Sequence, residues 1–151
     1  MAAYDRDNIF AKVLRGEIPC HKLYEDDDTL AFLDIMPRTV GHALVITKEP
    51  APDLFGISPE GLAKIMAVVQ KLAPKIKEAV GADGVLIQQF NGAAAGQTVF
   101  HLHFHIIPRK EGVSMGPEGA KMADPGALAA TAERIREQIH SDEVRDEASH
   151  G

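Results

Sequence analysis

Apolar and polar positions alternate along this chain with a period that changes several times, and each change marks an element. The first periodic stretch is NIFAKVLRGE, in which Ile9, Phe10, Val13 and Leu14 share one helical face and Gly16 ends the helix. Three short runs with strand character follow: HKLYE at 21–25, TLAFLDI at 29–35 and HALVITK at 42–48. EDDD and MPRTVG separate them, both with good turn chemistry. The acidic cluster at 25–28 is read as a solvated hairpin turn rather than a metal site. Ser58-Pro59-Glu60 opens a long helix, with Ser as N-cap, Pro at the first helical position and an acid in the first turn. Leu62, Ile65, Met66, Val69, Leu72 and Ile76 mark its apolar side, and it ends near Val80, before Gly81. Pro74 lies inside it, at the cost of one backbone hydrogen bond.

The period then returns to two. GVLIQQF at 84–90 and HLHFHII at 101–107 read as strands of one hairpin around the glycine-bounded loop NGAAAGQ at 91–97. Asp124-Pro125 caps a last helix from about 125 to 140. SDEVRDEASHG then reads as a disordered acidic tail over 141–151, outside a single domain at 1–140. Helix, three strands, long helix, two strands and helix make an α+β chain. The expected architecture is a mostly antiparallel five-stranded sheet with the long helix on one face.

Composition narrows the function classes. A chain of 151 residues holds one domain with a real core, and 45% hydrophobic with 25% charged residues is ordinary for a globular protein. A net charge of −6 speaks against a nucleic-acid binder, because a phosphate backbone is held by clustered Lys and Arg. No apolar run approaches the ~20 residues that span a bilayer, so no membrane partner is expected. The N-terminus has no signal-peptide pattern, and the single Cys20 excludes an internal disulfide. A cytoplasmic location is the expectation.

The chemistry concentrates in FHLHFHIIPR at 100–109. On a strand His101, His103 and His105 project from one face, while Leu102, Phe104 and Ile106 enter the core. A row of rings that resist desolvation has no evident structural use on a surface strand. Two strand histidines at i and i+2 suit zinc, but the outer two of three stand ~13 Å apart and converge poorly on one ion. Beyond the row, His42 is a well-placed histidine, whereas His21, His140 and His150 are not. The other reading is nucleophilic catalysis on phosphorus: neutral imidazole is a good nucleophile near pH 7, and its phosphoryl adduct is labile. The loop from Asn91 to Thr98 offers backbone N–H groups able to wrap an anion directly before the row.

HLHFHII at 101–107 matches the signature of the histidine triad family, and the chain resembles that family from IFAKVLRGEIP through AFLDIMPRTVGHALVITK to Pro108. The likeness is greatest to its nucleotide-binding branch and the bacterial relatives of that branch. It implies an enzyme that hydrolyses or transfers at the α-phosphate of purine nucleoside phosphoramidates through a nucleotidyl-histidine. His103 would be the nucleophile, His105 would donate to the phosphate or the bridging atom, and His101 and His42 would support them. Asn91, Gln97 and Thr98 would contact the α-phosphate. Asp34 would accept from the ribose hydroxyls, and Ile9, Phe10, Phe32 and Ile35 would line the base pocket. The resemblance also implies a homodimer with the sheet continued across it, a small-molecule partner and no cofactor. Alternatives within reach are a dinucleoside polyphosphate hydrolase and a non-catalytic nucleotide-binding regulator.

Two departures from the family pattern are visible. The positions that carry a Cys-x-x-Cys and histidine zinc site in many bacterial relatives read Asn8, Ala11 and Pro50, so no metal site is expected. The chain has no Trp, and KEGVSMGPEGAKM at 110–122 does not match the tryptophan-containing loop that approaches the leaving group in eukaryotic relatives.

Overall fold

A computed structural model describes residues 3–117 and 121–150, with side chains as far as Ser141. Five strands form one antiparallel sheet in the order β1-β2-β3-β5-β4, with β1 at Lys22–Glu25, β2 at Thr29–Leu33, β3 at Ala43–Thr47, β4 at Gly84–Gln88 and β5 at His103–Arg109. Helix α1 covers Ile9–Leu14, α2 Pro59–Val80 and α3 Pro125–His150. This is the expected architecture. The expected turn at EDDD closes the β1–β2 hairpin, with Asp26 N–H donating to Thr29 O at 3.0 Å. Among the described residues no helix is long and apolar enough to cross a membrane.

The two faces of the sheet have different neighbours. Ala31, Leu33, Ala43, Val45, Phe104 and Ile106 pack under α2 and α3 in the main core. Leu30, Phe32, Leu44 and Ile46 point the other way and meet Phe10 of α1 in a smaller one. Alternation along each strand causes this split, because residues two apart share a face and cross-strand partners share it too. β5 inserts between β3 and β4, so ladders hold it on both edges. The histidine strand is therefore an interior strand of the sheet, like β2 and β3.

The caps read from the sequence are present. Ser58 Oγ accepts from Gly61 N–H at 3.0 Å, and the Glu49 carboxylate binds both the N–H and the hydroxyl of Ser58 at 2.7 Å. Gly81 ends α2 in the left-handed conformation, and Pro74 does not interrupt it. Asp124 Oδ2 accepts from Ala127 N–H at 3.0 Å.

Four expectations change. Met66 is 39% exposed and Val68 takes its place in the core stripe, because residues two apart on a helix are ~200° apart and only one of them can face the sheet. β4 ends at Gln88, before the side chain of Gln89 turns back to bond Phe90 O and Asn91. β5 begins at His103 rather than His101. Leu102 N–H donates to Ala51 O instead, because the chain after β3 curls across the end of the sheet and takes that donor out of the ladder. Finally, α3 runs on to His150, through the segment read as a disordered tail. Residues 127–150 contain neither Gly nor Pro, so nothing in that stretch breaks a helix once Leu128, Ala132, Ile135 and Ile139 have docked it on the core.

Gly41 precedes His42 at φ +90°, and a Cβ there would lie 2.9 Å from Val80 Cγ1 and 3.2 Å from Pro108 Cγ. Gly41→Ala should therefore lower unfolding stability by about 1–3 kcal/mol. Gly84→Ala, with nothing near its Cβ and no positive φ, should stay within about 0.5 kcal/mol. Urea titration of the two variants checks the contrast, and equal midpoints would contradict it.

Candidate active site

Antiparallel pairing sets the direction of the histidine rings. His103 sits opposite Ile46 and His105 opposite Leu44, so both point to the Phe10 side of the sheet, away from α2. Phe10 stands edge-on to His103 at a centroid distance of 4.9 Å, and His105 lies 5.1 Å from His103. His101 is on the same side, 6.2 Å from Phe10, but it precedes the regular strand and is wholly buried. Two rings of the expected row face open space, and the third stands behind them.

Each ring has its proton placed by a neighbour of fixed polarity. His103 Nδ1 is 2.6 Å from the carbonyl oxygen of His101. A carbonyl only accepts, so the proton is on Nδ1 and Nε2 presents a lone pair. His101 Nε2–H donates to Thr47 O at 2.7 Å, and its Nδ1 accepts the Tyr4 hydroxyl, also at 2.7 Å. His42 Nδ1 accepts the Arg38 N–H at 3.0 Å, so its proton is on Nε2, 2.9 Å from His105 Nδ1. His105 consequently carries its proton on Nε2. The pair His103 and His105 thus offers one lone pair and one N–H side by side.

Burial keeps all four rings neutral at pH 7. It pushes His42 down to about 4, helped by the Arg38 charge and by His103. His105 falls to about 3, through burial first and then through His103, His42 and Arg38. His101 and His103 are lowered by burial as well, although the carbonyls of Thr47 and His101 oppose that.

The rings open on a cleft of about 270 Å³. His103, His105, His42 and Asp34 form one wall. Ile9, Phe10, Phe32, Ile35 and Thr98 line it as well. The Asp34 carboxylate lies 3.6 Å from His42 Nε2 and accepts the Met36 N–H at 2.8 Å.

Asn91 and Gln97 are not brought to the cleft lining. Asn91 Oδ1 accepts from Leu54 N–H at 2.8 Å, and its amide pairs reciprocally with Gln89. Gln97 is 4% exposed, accepts from Gly92 N–H and donates to Pro52 O and Val99 O. These two amides fasten the 91–97 loop to its surroundings. Sequence reasoning missed Val13, Leu44 and Val99 in the apolar wall; the first two were recoverable from the helical and strand periods. Cys20 also lines the cleft. No local signal marked Tyr4 or Arg38.

Asp34, His42 and His105 bring three potential ligand atoms within 4.8 Å of one another. A cation there would have to displace the proton that His42 gives His105. At the zinc positions of the family pattern, Asn8 spends its side chain capping α1, and neither the buried Ala11 nor Pro50 offers a side-chain ligand atom, so the residues there do not fit zinc.

The HIT-domain family model matches residues 15–112, which include the cleft wall from Ile18 to His105. The chain belongs to the HIT family. Among HIT proteins it is 40% identical to an adenosine 5'-monophosphoramidase of Schizosaccharomyces pombe, over 87% of this chain and 97% of the yeast protein. It is 47% identical to an adenylylsulfatase of Arabidopsis thaliana, over 70% of this chain but only 53% of the plant protein. A crystal structure of a Hit-like protein from Bartonella henselae superposes with a TM-score of 0.84 at 47% identity, covering 90% of this chain and 99% of the other.

Because His42 and His105 are lowered when folded, the unfolded chain binds protons first as pH falls below about 6.5. Their contribution to stability is complete above that pH and is lost progressively towards pH 4 and then 3. The urea midpoint should therefore drop between pH 7 and 4.5, and His105→Asn should flatten the drop. A midpoint in the parent chain that holds steady over this range would contradict the assignment.

Proposed function

We propose that this HIT protein is a nucleotide hydrolase or transferase that cleaves purine nucleoside phosphoramidates at the α-phosphate through a covalent nucleotidyl-His103. One observation carries the reading: a neutral imidazole whose free Nε2 lone pair faces an open cleft, beside a second imidazole that presents an N–H. A nucleophile needs the first, and a leaving atom gaining charge needs the second. The names of the yeast and plant relatives, a monophosphoramidase and an adenylylsulfatase, support adenosine 5'-phosphoryl substrates.

In the proposed cycle the His103 Nε2 lone pair attacks phosphorus, and the P–N bond breaks. The adduct's positive charge is met by the His101 carbonyl through Nδ1–H, as the ground-state hydrogen bond already is. His105 Nε2 passes its proton to the departing nitrogen, which leaves as the neutral amine, and recovers a proton from the attacking water in the second step. Water then attacks phosphorus, breaks the Nε2–P bond and restores neutral His103. Over the cycle the hydroxide of that water ends on phosphorus and its proton on the amine. The apolar wall of Ile9, Phe10 and Phe32 takes the base by contact area, and Asp34 takes the ribose hydroxyls. The homodimer that the family resemblance implies would use β4, whose outer edge is unpaired in the sheet order and whose Ile87 is 39% exposed.

The test is release of AMP from an adenosine phosphoramidate, compared with a diadenosine polyphosphate. The phosphoramidate should be the better substrate, and His103→Ala should lose at least about a thousandfold in kcat while still binding AMP. Normal turnover by His103→Ala would remove the assigned nucleophile, and a preference for the dinucleotide would move the chain to the polyphosphate hydrolases.

A further inference from the structure

We propose that Arg38, clasped to Gly116, is a positioning residue that makes His105 present a proton, rather than a lone pair, to the leaving group. The inference rests on the proposed reaction, because a donor at His105 matters only when an atom departs beside it.

Arg38 sits in the connection between β2 and β3 and is held in three directions. Its N–H donates to His42 Nδ1 at 3.0 Å. Its carbonyl accepts the Gly116 N–H at 2.8 Å, and its Nε–H donates to Gly116 O at 2.9 Å. The reciprocal pair with Gly116 fixes both the backbone and the side chain of Arg38 against the stretch that follows β5. Gly116 permits the approach: a Cβ there would stand 3.3 Å from Arg38 O. The next residue is pinned as well, by Thr39 Oγ1 donating to Pro108 O at 2.7 Å.

This geometry decides a tautomer two rings away. With the Arg38 N–H aimed at His42 Nδ1, a proton on that nitrogen would face another donor, so it is excluded. Were the Arg38 peptide to tilt, His42 could carry its proton on Nδ1 and accept at Nε2. His105 would then donate from Nδ1, and its Nε2 would face the cleft as a base. The clasp therefore selects between a donor and an acceptor at the reacting centre.

Charge keeps the pair neutral, so that the choice is between tautomers. The titratable and charged groups facing the pair are Asp34 and Arg38 from the β2–β3 connection and His103 from β5, and the uncharged Phe90 ring packs edge-on to His105 at 5.6 Å. The Arg38 guanidinium opposes a second proton on either ring. The likeness to the family did not single out Arg38, and no sequence feature marked Gly116.

The test compares the parent chain with Arg38→Ala and Arg38→Lys on two AMP derivatives. One is an alkylamine phosphoramidate, whose leaving atom needs a proton, and the other is the p-nitrophenyl ester, which leaves as a stable anion. Arg38→Ala should lose about tenfold in kcat on the phosphoramidate and stay within about twofold on the ester. Arg38→Lys, which keeps the charge and a donor, should recover part of the loss. Equal losses on both substrates, or none on either, would overturn the proposal. The 15N imidazole signals of the parent chain decide the matter independently of whether Arg38→Ala folds. An unprotonated Nδ1 on both His42 and His105 supports the clasp, and a protonated Nδ1 on either refutes it. If the parent chain turns over neither compound, the proposed reaction fails, and those signals still test the tautomer selection.

Discussion

The hydrogen bond from His103 Nδ1–H to the His101 carbonyl is the constraint on which the site depends. An imidazole free to rotate or exchange tautomers would offer a mixture of donor and acceptor at each nitrogen. A backbone carbonyl removes that freedom, because it accepts and cannot donate. The same logic recurs around the cluster: Thr47 O fixes His101, and the Arg38 N–H fixes His42 and, through it, His105. Four buried imidazoles would be costly to desolvate unpaired, and the hydrogen bonds to backbone, to Tyr4 and to one another offset that cost. Backbone groups can do this only if the backbone is held: Thr47 is paired with Thr29, Leu102 is tied to Ala51 and Thr47, and Arg38 to Gly116.

The cleft has two chemical halves, and the strand period creates both. Leu44 and Phe32 share their sheet face with His103 and His105, so an apolar wall and a polar wall grow from one surface. α1 closes it by laying Phe10 against both His103 and Phe32. The proposed nucleotide matches both halves, with its base against the apolar wall, its ribose near Asp34 and its phosphate beside His103.

Much of this was legible in the chain itself. Ser58-Pro59, Gly81 and Asp124-Pro125 marked helix ends through local chemistry that needs no tertiary partner. The period-two histidines marked their own face. What was not legible depended on long-range contacts. His101 leaves the ladder because residues 48–51 curl back to take the Leu102 N–H, a contact no strand pattern encodes. Asn91 and Gln97 sit in a polar loop that suits an anion, but Leu54, Pro52 and Gly92 occupy their amides. The roles of Tyr4 and Arg38 arise across 97 and 78 residues of separation. The acidic stretch after His140 is composed of residues that serve a tail or a helix equally well, and its place behind a docked helix decides the outcome.

The His101 carbonyl leaves Nε2 of His103 as the one nitrogen of that ring with a free lone pair, the nitrogen proposed to take phosphorus. That assignment can be tested by quenching the protein during turnover of an adenosine phosphoramidate at neutral pH and locating the phosphorus through its coupling to 15N in the histidine rings. A nucleotidyl group should be found on Nε2 of His103. Phosphorus on Nδ1 of that ring, or on His101, His105 or His42, would contradict it.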